Sequence, residues 1–248
     1  MSKIVLITGG SRGIGRAAAV LCGARGWSVG VNYASNREAA DRTVADTIKA
    51  GGRAIAVQGD VAREADVIAM FDATAKAFGR LDGLVNNAGI VAPLSPLVDI
   101  SLDRMKRVFD TNMLGAYLCA REAARRLSRS RGGSGGAIVN VSSVAARLGA
   151  PQEYIDYAGS KAALEAMTVG LSKELGPEGV RVNAVRPGLI ETEIHGTSGK
   201  PDRATRLGAT TPLGRAGTAE EVGEAIVWLL SDAASYVNGA ILDVTAGR

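Results

Sequence analysis

Short apolar runs alternate with longer helical patterns from one end of the chain to the other, and this alternation constrains the fold most strongly. Such alternation is typical of βαβ units, in which successive strands lie parallel. The runs are nearly continuous in apolar character, as expected when helices cover both faces of a sheet. We therefore predict an α/β fold, a doubly wound, Rossmann-like domain with a seven-stranded parallel sheet. The predicted strands are Ile4–Ile7, Ser28–Asn32, Ala54–Gln58, Gly83–Asn86, Ala137–Val141, Val180–Val185 and Ile241–Val244.

Helical patterns fill the intervals between these runs. They begin at Ile14, Arg37, Glu64, Ser101, Tyr154 and Ala219. The last of them carries the signature of a capping box, because Thr218 is followed three residues later by Glu221.

The length and composition predict that residues 1–248 form a single domain. A chain of 248 residues with 46% hydrophobic content can bury a sizeable core, and α/β folds of this length routinely form a single domain. Within it, residues 188–217 show no sustained apolar periodicity and are rich in Gly, Pro and Thr. Long loops of this kind are usually lids or binding loops, so we predict a substrate lid there.

Composition also argues against several classes of function. The net charge is only +4 and the aromatic content 4%, which leaves little basis for nucleic-acid binding. Cys22 and Cys119 are isolated, and His195 is the only histidine, so we expect no metal site. A secretory leader and a membrane-spanning stretch are not recognisable, and we therefore expect a cytoplasmic protein without a membrane partner.

A glycine-rich loop connects the first predicted strand to the first predicted helix. Gly9 permits the turn off the strand, Gly13 lets the backbone approach a phosphate, and Gly15 allows the helix to pack closely. Free N–H groups at the helix N-terminus favour an anion. The spacing and the missing Lys-Ser/Thr pair exclude an ATPase loop. The loop predicts a dinucleotide site, with a tight turn as the structural alternative.

Tyr157 and Lys161 are four residues apart in a predicted helix, which places both side chains on one face. A neighbouring positive charge favours the phenolate, so we expect Lys161 to lower the pKa of Tyr157. A lone lysine is insufficient to bring that pKa to neutrality. Such a tyrosine is suited to general acid–base catalysis, although the same spacing also occurs in ordinary surface pairs.

Other polar residues follow the ends of the predicted strands, where ligands bind in an open α/β sheet. Asn86-Asn87-Ala88-Gly89 follows the fourth strand, Ser142-Ser143 the fifth, and Pro187-Gly188 the sixth, whereas Asn112 lies in a helix. Strand alternation allows only one of the two serines to face a pocket. Ser143 is favoured over Ser142, but the residues alone leave the choice open.

Together these motifs resemble the short-chain dehydrogenase/reductase family of the classical type, over nearly the whole chain. The resemblance extends to glucose 1-dehydrogenase-like members and 3-oxoacyl-carrier-protein reductases. It implies hydride transfer between a nicotinamide cofactor and a small-molecule carbonyl or secondary alcohol. The alternatives are a non-catalytic nicotinamide-binding regulator and an NAD-preferring sugar or alcohol dehydrogenase. The resemblance also implies a homotetramer.

The resemblance assigns roles to the catalytic candidates. It implies that Tyr157 is the proton donor, and that Lys161 lowers its pKa and holds the nicotinamide ribose. Ser143 would bind the substrate oxygen, and Asn112 would anchor a water in a proton relay. The implied cofactor-binding residues are Gly9, Ser11, Arg12, Gly13, Ile14, Gly15, Asn32, Asp60, Val61, Asn87, Ala88, Gly89, Tyr157, Lys161, Pro187, Gly188, Ile190 and Thr192.

The end of the second predicted strand favours NADP(H) over NAD(H). Sheets that bind NAD carry an acid there to hold the ribose 2′-OH, and here residues 31–35 contain no carboxylate. Arg12 in the glycine loop can pair with a 2′-phosphate, and Arg37 is a second candidate. We therefore predict NADP(H) as the cofactor.

Overall fold

A single parallel sheet organises the computed structural model, which describes residues 2–192 and 203–248. Its seven strands lie in the order β3-β2-β1-β4-β5-β6-β7, and every neighbouring pair is parallel. The predicted fold class is thereby confirmed, and each predicted strand is present with ends shifted by two residues or fewer. The strands are β1 (Ile4–Ile7), β2 (Ser28–Tyr33), β3 (Arg53–Gln58), β4 (Gly83–Asn86), β5 (Gly136–Val141), β6 (Val180–Pro187) and β7 (Ile241–Val244).

The helices begin close to their predicted positions. The predicted capping box is present, because Thr218 Oγ1 accepts a hydrogen bond from Glu221 N, and Glu221 Oε2 accepts one from Thr218 N. Within the described residues, no helix has the length and hydropathy to cross a membrane. The helices are α1 (Gly13–Ala24), α2 (Arg37–Lys49), α3 (Glu64–Phe78), α4 (Leu102–Phe109), α5 (Gly115–Leu127), α6 (Ala145–Leu148), α7 (Ile155–Leu175), α8 (Arg203–Gly208) and α9 (Ala219–Leu230).

The helix predicted from Ser101 is in fact two helices, α4 and α5, joined by a π-helical turn over Asp110–Leu114. Ser101 is the N-cap of α4 rather than its first residue, and its hydroxyl accepts a hydrogen bond from Arg104 N. The π-helical turn spans only five residues within an otherwise continuous helical segment, too few for the apolar periodicity to reveal it.

Alternation along each strand divides the core between the two faces of the sheet. Val5 and Ile7 of β1 pack on one face with α1 and α9, whereas Leu6 packs on the other with α3 and α5. All three are completely buried. Both faces are therefore covered, which explains why the strands are apolar throughout.

The strand order reverses at β1, which pairs with β2 on one side and β4 on the other. The connections leaving β1 and β4 run to opposite sides, so a crevice opens at the carboxyl ends of these two strands. The glycine loop after β1 and the Asn-Asn-Ala-Gly segment after β4 meet there.

The described parts of the predicted lid contain regular structure that the sequence did not predict. Ile190 and Gly217 form a parallel bridge, and Gly217 N donates to Leu189 O at 2.9 Å. The helix α8 lies between them in the chain. Backbone pairing of this kind needs no apolar periodicity, which is why the pattern missed it. His195 lies outside the described residues.

Candidate active site

The glycines of the loop after β1 are needed for its backbone conformation and for its close packing. Gly9 and Gly13 adopt φ values of +60° and +51°, which favour glycine. A Cβ at Gly15 would lie 2.5 Å from Gly9 O and 2.6 Å from Asn87 Nδ2. Gly15 therefore packs behind the loop and does not line a cavity, unlike the other predicted cofactor-binding residues.

The side-chain amides of two asparagines and the hydroxyl of one threonine hold this loop in place by hydrogen bonds. Asn32 Oδ1 accepts a 3.0 Å hydrogen bond from Gly9 N, and Asn87 Nδ2 donates to Thr8 O and Gly9 O. Thr8 Oγ1 accepts from Asn87 N and Ala88 N at 2.9 and 3.0 Å. Sequence reasoning did not assign this bracing role to Thr8, whose only signal is its place directly after β1.

A cavity of about 450 Å³ lies over the glycine loop and the carboxyl ends of β2 and β4. The helix α1 begins there without a side-chain cap, so its first-turn N–H groups are available to an anion. The donors and the missing Cβ atoms fit a dinucleotide pyrophosphate. The predicted residues among its lining are Gly9, Ser11, Arg12, Gly13, Ile14, Asn32, Asp60, Val61, Asn87, Ala88, Gly89 and Thr192.

The charged residues near this cavity differ in their ion pairs and hydrogen bonds. Arg37 pairs with Asp41 at 2.9 Å and is not among the lining residues, which weakens it as a 2′-phosphate partner. Arg12 lines the cavity, and none of the described acids forms an ion pair with it. Asp60 Oδ1 accepts a hydrogen bond from Ala62 N, so that carboxylate shapes its own turn.

A second cavity, of about 360 Å³, adjoins the first and brings the predicted catalytic residues together. Ser143, Tyr157 and Lys161 all line it. The two cavities share Ile14, Asn87, Gly89 and Thr192, so they form one continuous cleft. Pro187, Gly188 and Ile190, which the sequence assigned to cofactor binding, line this second part.

The hydroxyl groups of the two serines after β5 have different hydrogen-bond partners. Ser142 is buried, and its hydroxyl donates to Glu165 Oε1 at 2.7 Å. Ser143 lines the catalytic cavity, and its hydroxyl lowers the pKa of Tyr157. Both serines contribute to the lining of this cavity, but of the two it is Ser143 that hydrogen-bonds Tyr157, whereas the Ser142 hydroxyl is bonded to Glu165.

The pKa values of Tyr157 and Lys161 are dominated by burial. Burial raises the pKa of Tyr157 to about 12, and the nearby Ser143 hydroxyl only partly offsets this. Burial also lowers the pKa of Lys161 to about 8. The expected lowering of the Tyr157 pKa by Lys161 is therefore wrong for this structure: burial dominates the pKa of Tyr157, and the Lys161 ammonium lies 5.7 Å from the ring centroid.

Asn112 lies in the π-helical turn and is completely buried. Its Oδ1 accepts from Ile90 N at 2.8 Å, and its Nδ2 donates to Ile90 O and Ser160 Oγ. Asn112 lines neither cavity and instead supports the loop that carries Gly89. A Cβ at Gly89 would meet Lys161 Nζ at 3.3 Å and Asn112 Oδ1 at 3.4 Å, so this position has little room for a side chain.

The rest of the catalytic cavity was not predicted from the sequence. Most of its further lining residues are apolar. The largest group of them lies in α6 and the loop that follows it. Tyr154 packs edge-on against Tyr157, with ring centroids 5.5 Å apart and an angle of 87°. These further residues include Val91, Val144, Ala145, Leu148, Ala150, Pro151, Glu153, Tyr154, Leu189 and Arg248. In the described part of the chain, no three His, Cys, Asp or Glu side chains are grouped as a metal ion requires.

Comparison with known proteins agrees with this geometry. A protein-family model described as enoyl-(acyl carrier protein) reductase matches residues 9–248. The chain belongs to the short-chain dehydrogenase/reductase family. It is therefore an oxidoreductase of the class that acts on alcohols and carbonyls with NAD(P).

Three similar proteins illustrate the family. An uncharacterized oxidoreductase, YgfF, of Escherichia coli K12 is 50% identical over 245 residues, which covers 99% of both chains. The L-rhamnose 1-dehydrogenase (NAD(P)(+)) of Sphingomonas sp. SKA58 is 42% identical over 99% of this chain and 95% of its own. A short-chain dehydrogenase from Burkholderia cenocepacia, solved in complex with NADP, is 35% identical with a TM-score of 0.89, covering 99% and 97%.

Proposed function

We propose that this protein is an NADP(H)-dependent carbonyl reductase or alcohol dehydrogenase in which Tyr157 transfers the proton. The observation that carries the proposal is the meeting of Ser143, Tyr157 and Lys161 in one cavity, continuous with the cavity over the glycine loop. A non-catalytic regulator would need none of these proton-transfer groups, so the intact set favours an enzyme.

The bound nicotinamide supplies the hydride, and the side chains manage the substrate oxygen. Ser143 holds that oxygen by a hydrogen bond. Tyr157, whose pKa burial raises to about 12, is a phenol near neutral pH and donates its proton to the oxygen during reduction. In the oxidation direction the phenol must first lose its proton, and the phenolate then accepts the proton of the alcohol. Lys161, which lines the same cavity, replenishes the proton, and Asn112 contributes by supporting the loop that carries Gly89.

The preference for NADP(H) rests on the lack of a carboxylate at the end of β2 and on the nearby Arg12. The stretch of cavity lining from Asn32 to Asn36 contains no carboxylate that would repel a 2′-phosphate. Arg12 lies in the same lining and is not in an ion pair with a described acid. The NADP complex of the Burkholderia relative supports this preference. An NAD-preferring dehydrogenase is the competing assignment.

The apolar lining favours a substrate whose carbonyl stands on a hydrophobic body. Leu148, Ala150 and Tyr154 form a largely apolar wall beside Tyr157. A sugar would bring several hydroxyl groups into the cavity, and those that face the apolar wall rather than Glu153 or Arg248 would lose their partners, which costs about 1–3 kcal/mol for each buried group. We therefore expect cyclic or branched ketones to be reduced faster than aldoses.

The test is a panel of cyclic ketones, aldoses and acyl thioesters, each assayed with NADPH and NADH by nicotinamide absorbance. Ketone reduction with a higher kcat/KM for NADPH supports the proposal. A higher kcat/KM for NADH contradicts the cofactor assignment. Tight NADPH binding without turnover of any substrate would identify the regulator instead.

We also propose that the protein is a homotetramer. The outer face of α7 carries an exposed stripe with helical spacing, formed by Ile155, Gly159, Ala162, Ala166 and Val169. Tyr117 on neighbouring α5 and Trp228 on α9 are 43% and 39% exposed. Apolar stripes of this kind suit isologous contacts with a second copy of the chain. Light scattering should give four times the 25.4 kDa chain mass, and Ala166→Glu should give a smaller species.

A further inference from the structure

A buried ion pair stands beside the catalytic tyrosine. Arg104 of α4 donates through Nε and Nη2 to the two carboxylate oxygens of Asp156, at 2.8 and 3.0 Å. The side chains of this pair are only 11% and 2% exposed. Asp156 lies in the first turn of α7 and directly precedes Tyr157.

Stability alone does not account for such a pair. Removing two charges from water costs several kcal/mol per ion, and well-packed apolar residues in the same place are often as stable or more so. Bidentate geometry, however, fixes the relative orientation of two elements more tightly than apolar contact does. The pair is thus better suited to setting the orientation of α4 against α7.

Arg104 also reaches the loop that follows β4. Its Nη1 donates to Pro93 O at 2.6 Å, and Ser95 N donates to Glu153 O at 2.8 Å. Residues 87–91 of this loop line the cleft. The two hydrogen bonds therefore tie a wall of the cleft to the start of α7.

The start of α7 needs such support. Its N-cap, Tyr154, provides no side-chain cap, and Tyr157 is only the third residue of the helix. Uncapped first turns fray, and a frayed turn would let the phenol move away from Ser143.

We propose that Arg104 is a positioning residue: by pairing with Asp156 and binding Pro93 O, it holds the first turn of α7 so that Tyr157 faces Ser143. The inference rests on the proposed function, because its effect is read in the transfer of a proton by Tyr157. Small misplacements of a catalytic group reduce rates steeply, by up to about 100-fold for 1 Å.

Two variants separate positioning from stability. Arg104→Lys keeps the charge but loses the bidentate contact, and the double variant Arg104→Met/Asp156→Leu replaces the pair with apolar groups. The matched control is Arg42→Lys, which changes an exposed pair with Glu38 on α2. Each is assayed for kcat, KM, NADPH affinity by fluorescence, melting temperature and amide exchange of the peptide at 150–160.

We expect Arg104→Lys to lower kcat roughly 10- to 100-fold, with NADPH affinity within about twofold of wild type and faster exchange at 150–160. The double variant should melt at or above the wild-type temperature and still have a reduced kcat. Arg42→Lys should match wild type.

Wild-type kcat in the double variant, or unchanged exchange at 150–160 in Arg104→Lys, would overturn the proposal. If wild type turns over no substrate, the proposed function fails, and the exchange measurement alone then decides whether Arg104 holds the first turn of α7.

Discussion

Lys161 Nζ donates a 2.8 Å hydrogen bond to the backbone carbonyl of Val141, the last residue of β5. This bond ties α7 to the strand that precedes Ser143. The position of the ammonium is thus set by the sheet rather than by Tyr157, whose ring centroid lies 5.7 Å away.

The first prediction concerns Lys161 and the pH dependence of stability. The pKa of Lys161 is about 8 in the folded protein and 10.5 ordinarily, so between these values the unfolded chain holds a proton that the folded chain has released. The free energy of unfolding should therefore rise with pH in this window, by roughly 3 kcal/mol at most. Urea unfolding of wild type and Lys161→Met between pH 7 and 9.5 measures the difference.

Ionisation of Tyr157 changes the free energy of unfolding with pH in the opposite direction. Its pKa is raised from 10.0 to about 12 by burial, so its contribution to stability is lost as the pH rises above 10. Measurements below pH 10 therefore report the contribution of Lys161 without that of Tyr157. A difference between wild type and Lys161→Met that does not change with pH would show that the folded pKa is not lowered.

The second prediction is that Tyr157→Phe abolishes turnover and retains the cofactor. The variant removes the proton donor and keeps the ring, so kcat should fall by about 10²- to 10⁴-fold. Stopped-flow absorbance measures the rate, and NADPH fluorescence measures binding. Tyr154→Phe is the matched control, since it removes a phenol hydroxyl from the same cavity and keeps the ring that packs against Tyr157. Rates within tenfold of wild type in Tyr157→Phe would mean that another group donates the proton.

The third prediction concerns the glycine loop. Gly15→Ala places a Cβ against Gly9 O and Asn87 Nδ2, so the loop must shift and NADPH affinity should fall more than tenfold. Gly170→Ala is the control, because its Cβ would meet nothing within 4 Å in the chain and the residue lies on α7, away from the glycine loop. It lies on the α7 face proposed as a subunit contact, so light scattering accompanies the measurement, and NADPH affinity should be unchanged. Wild-type affinity in Gly15→Ala would argue against the loop as the cofactor site.

The fourth prediction concerns cofactor choice. Arg12→Gln should reduce kcat/KM for NADPH by about 10- to 100-fold and leave kcat/KM for NADH within twofold, because a charge-assisted hydrogen bond to phosphate contributes about 1.5–3 kcal/mol. Arg12→Lys keeps the charge, so its kcat/KM for NADPH should lie between the values of wild type and Arg12→Gln. An equal loss with both cofactors would place Arg12 at the shared pyrophosphate.

The sheet was predictable because both of its faces are covered. Strands such as β1 and β4 are short and apolar throughout, and the helices between them have clear starting signals, as at Thr218. The π-helical turn at Asn112 and the bridge between Ile190 and Gly217 were not predictable. They depend on backbone hydrogen bonds that leave no mark on the apolar pattern.

The site was predictable to the extent that its residues follow strand ends. Ser143 and the glycine loop are in this class, and Tyr157 and Lys161 are joined by helical spacing. Leu148 and Tyr154 line the same cavity but belong to a short helix and the N-cap of another, with no motif of their own. The pKa of Tyr157 was also missed, because desolvation depends on tertiary packing.

The bridge between Ile190 and Gly217 closes the chain on itself at the entrance to the cleft. A loop pinned at both ends tolerates changes in length, since each doubling adds only about 0.6 kcal/mol of closure entropy. The bridge sets where the chain leaves β6 and where it returns to α9. We therefore expect a few residues inserted between the two bridge positions to leave the free energy of unfolding within about 1 kcal/mol of wild type.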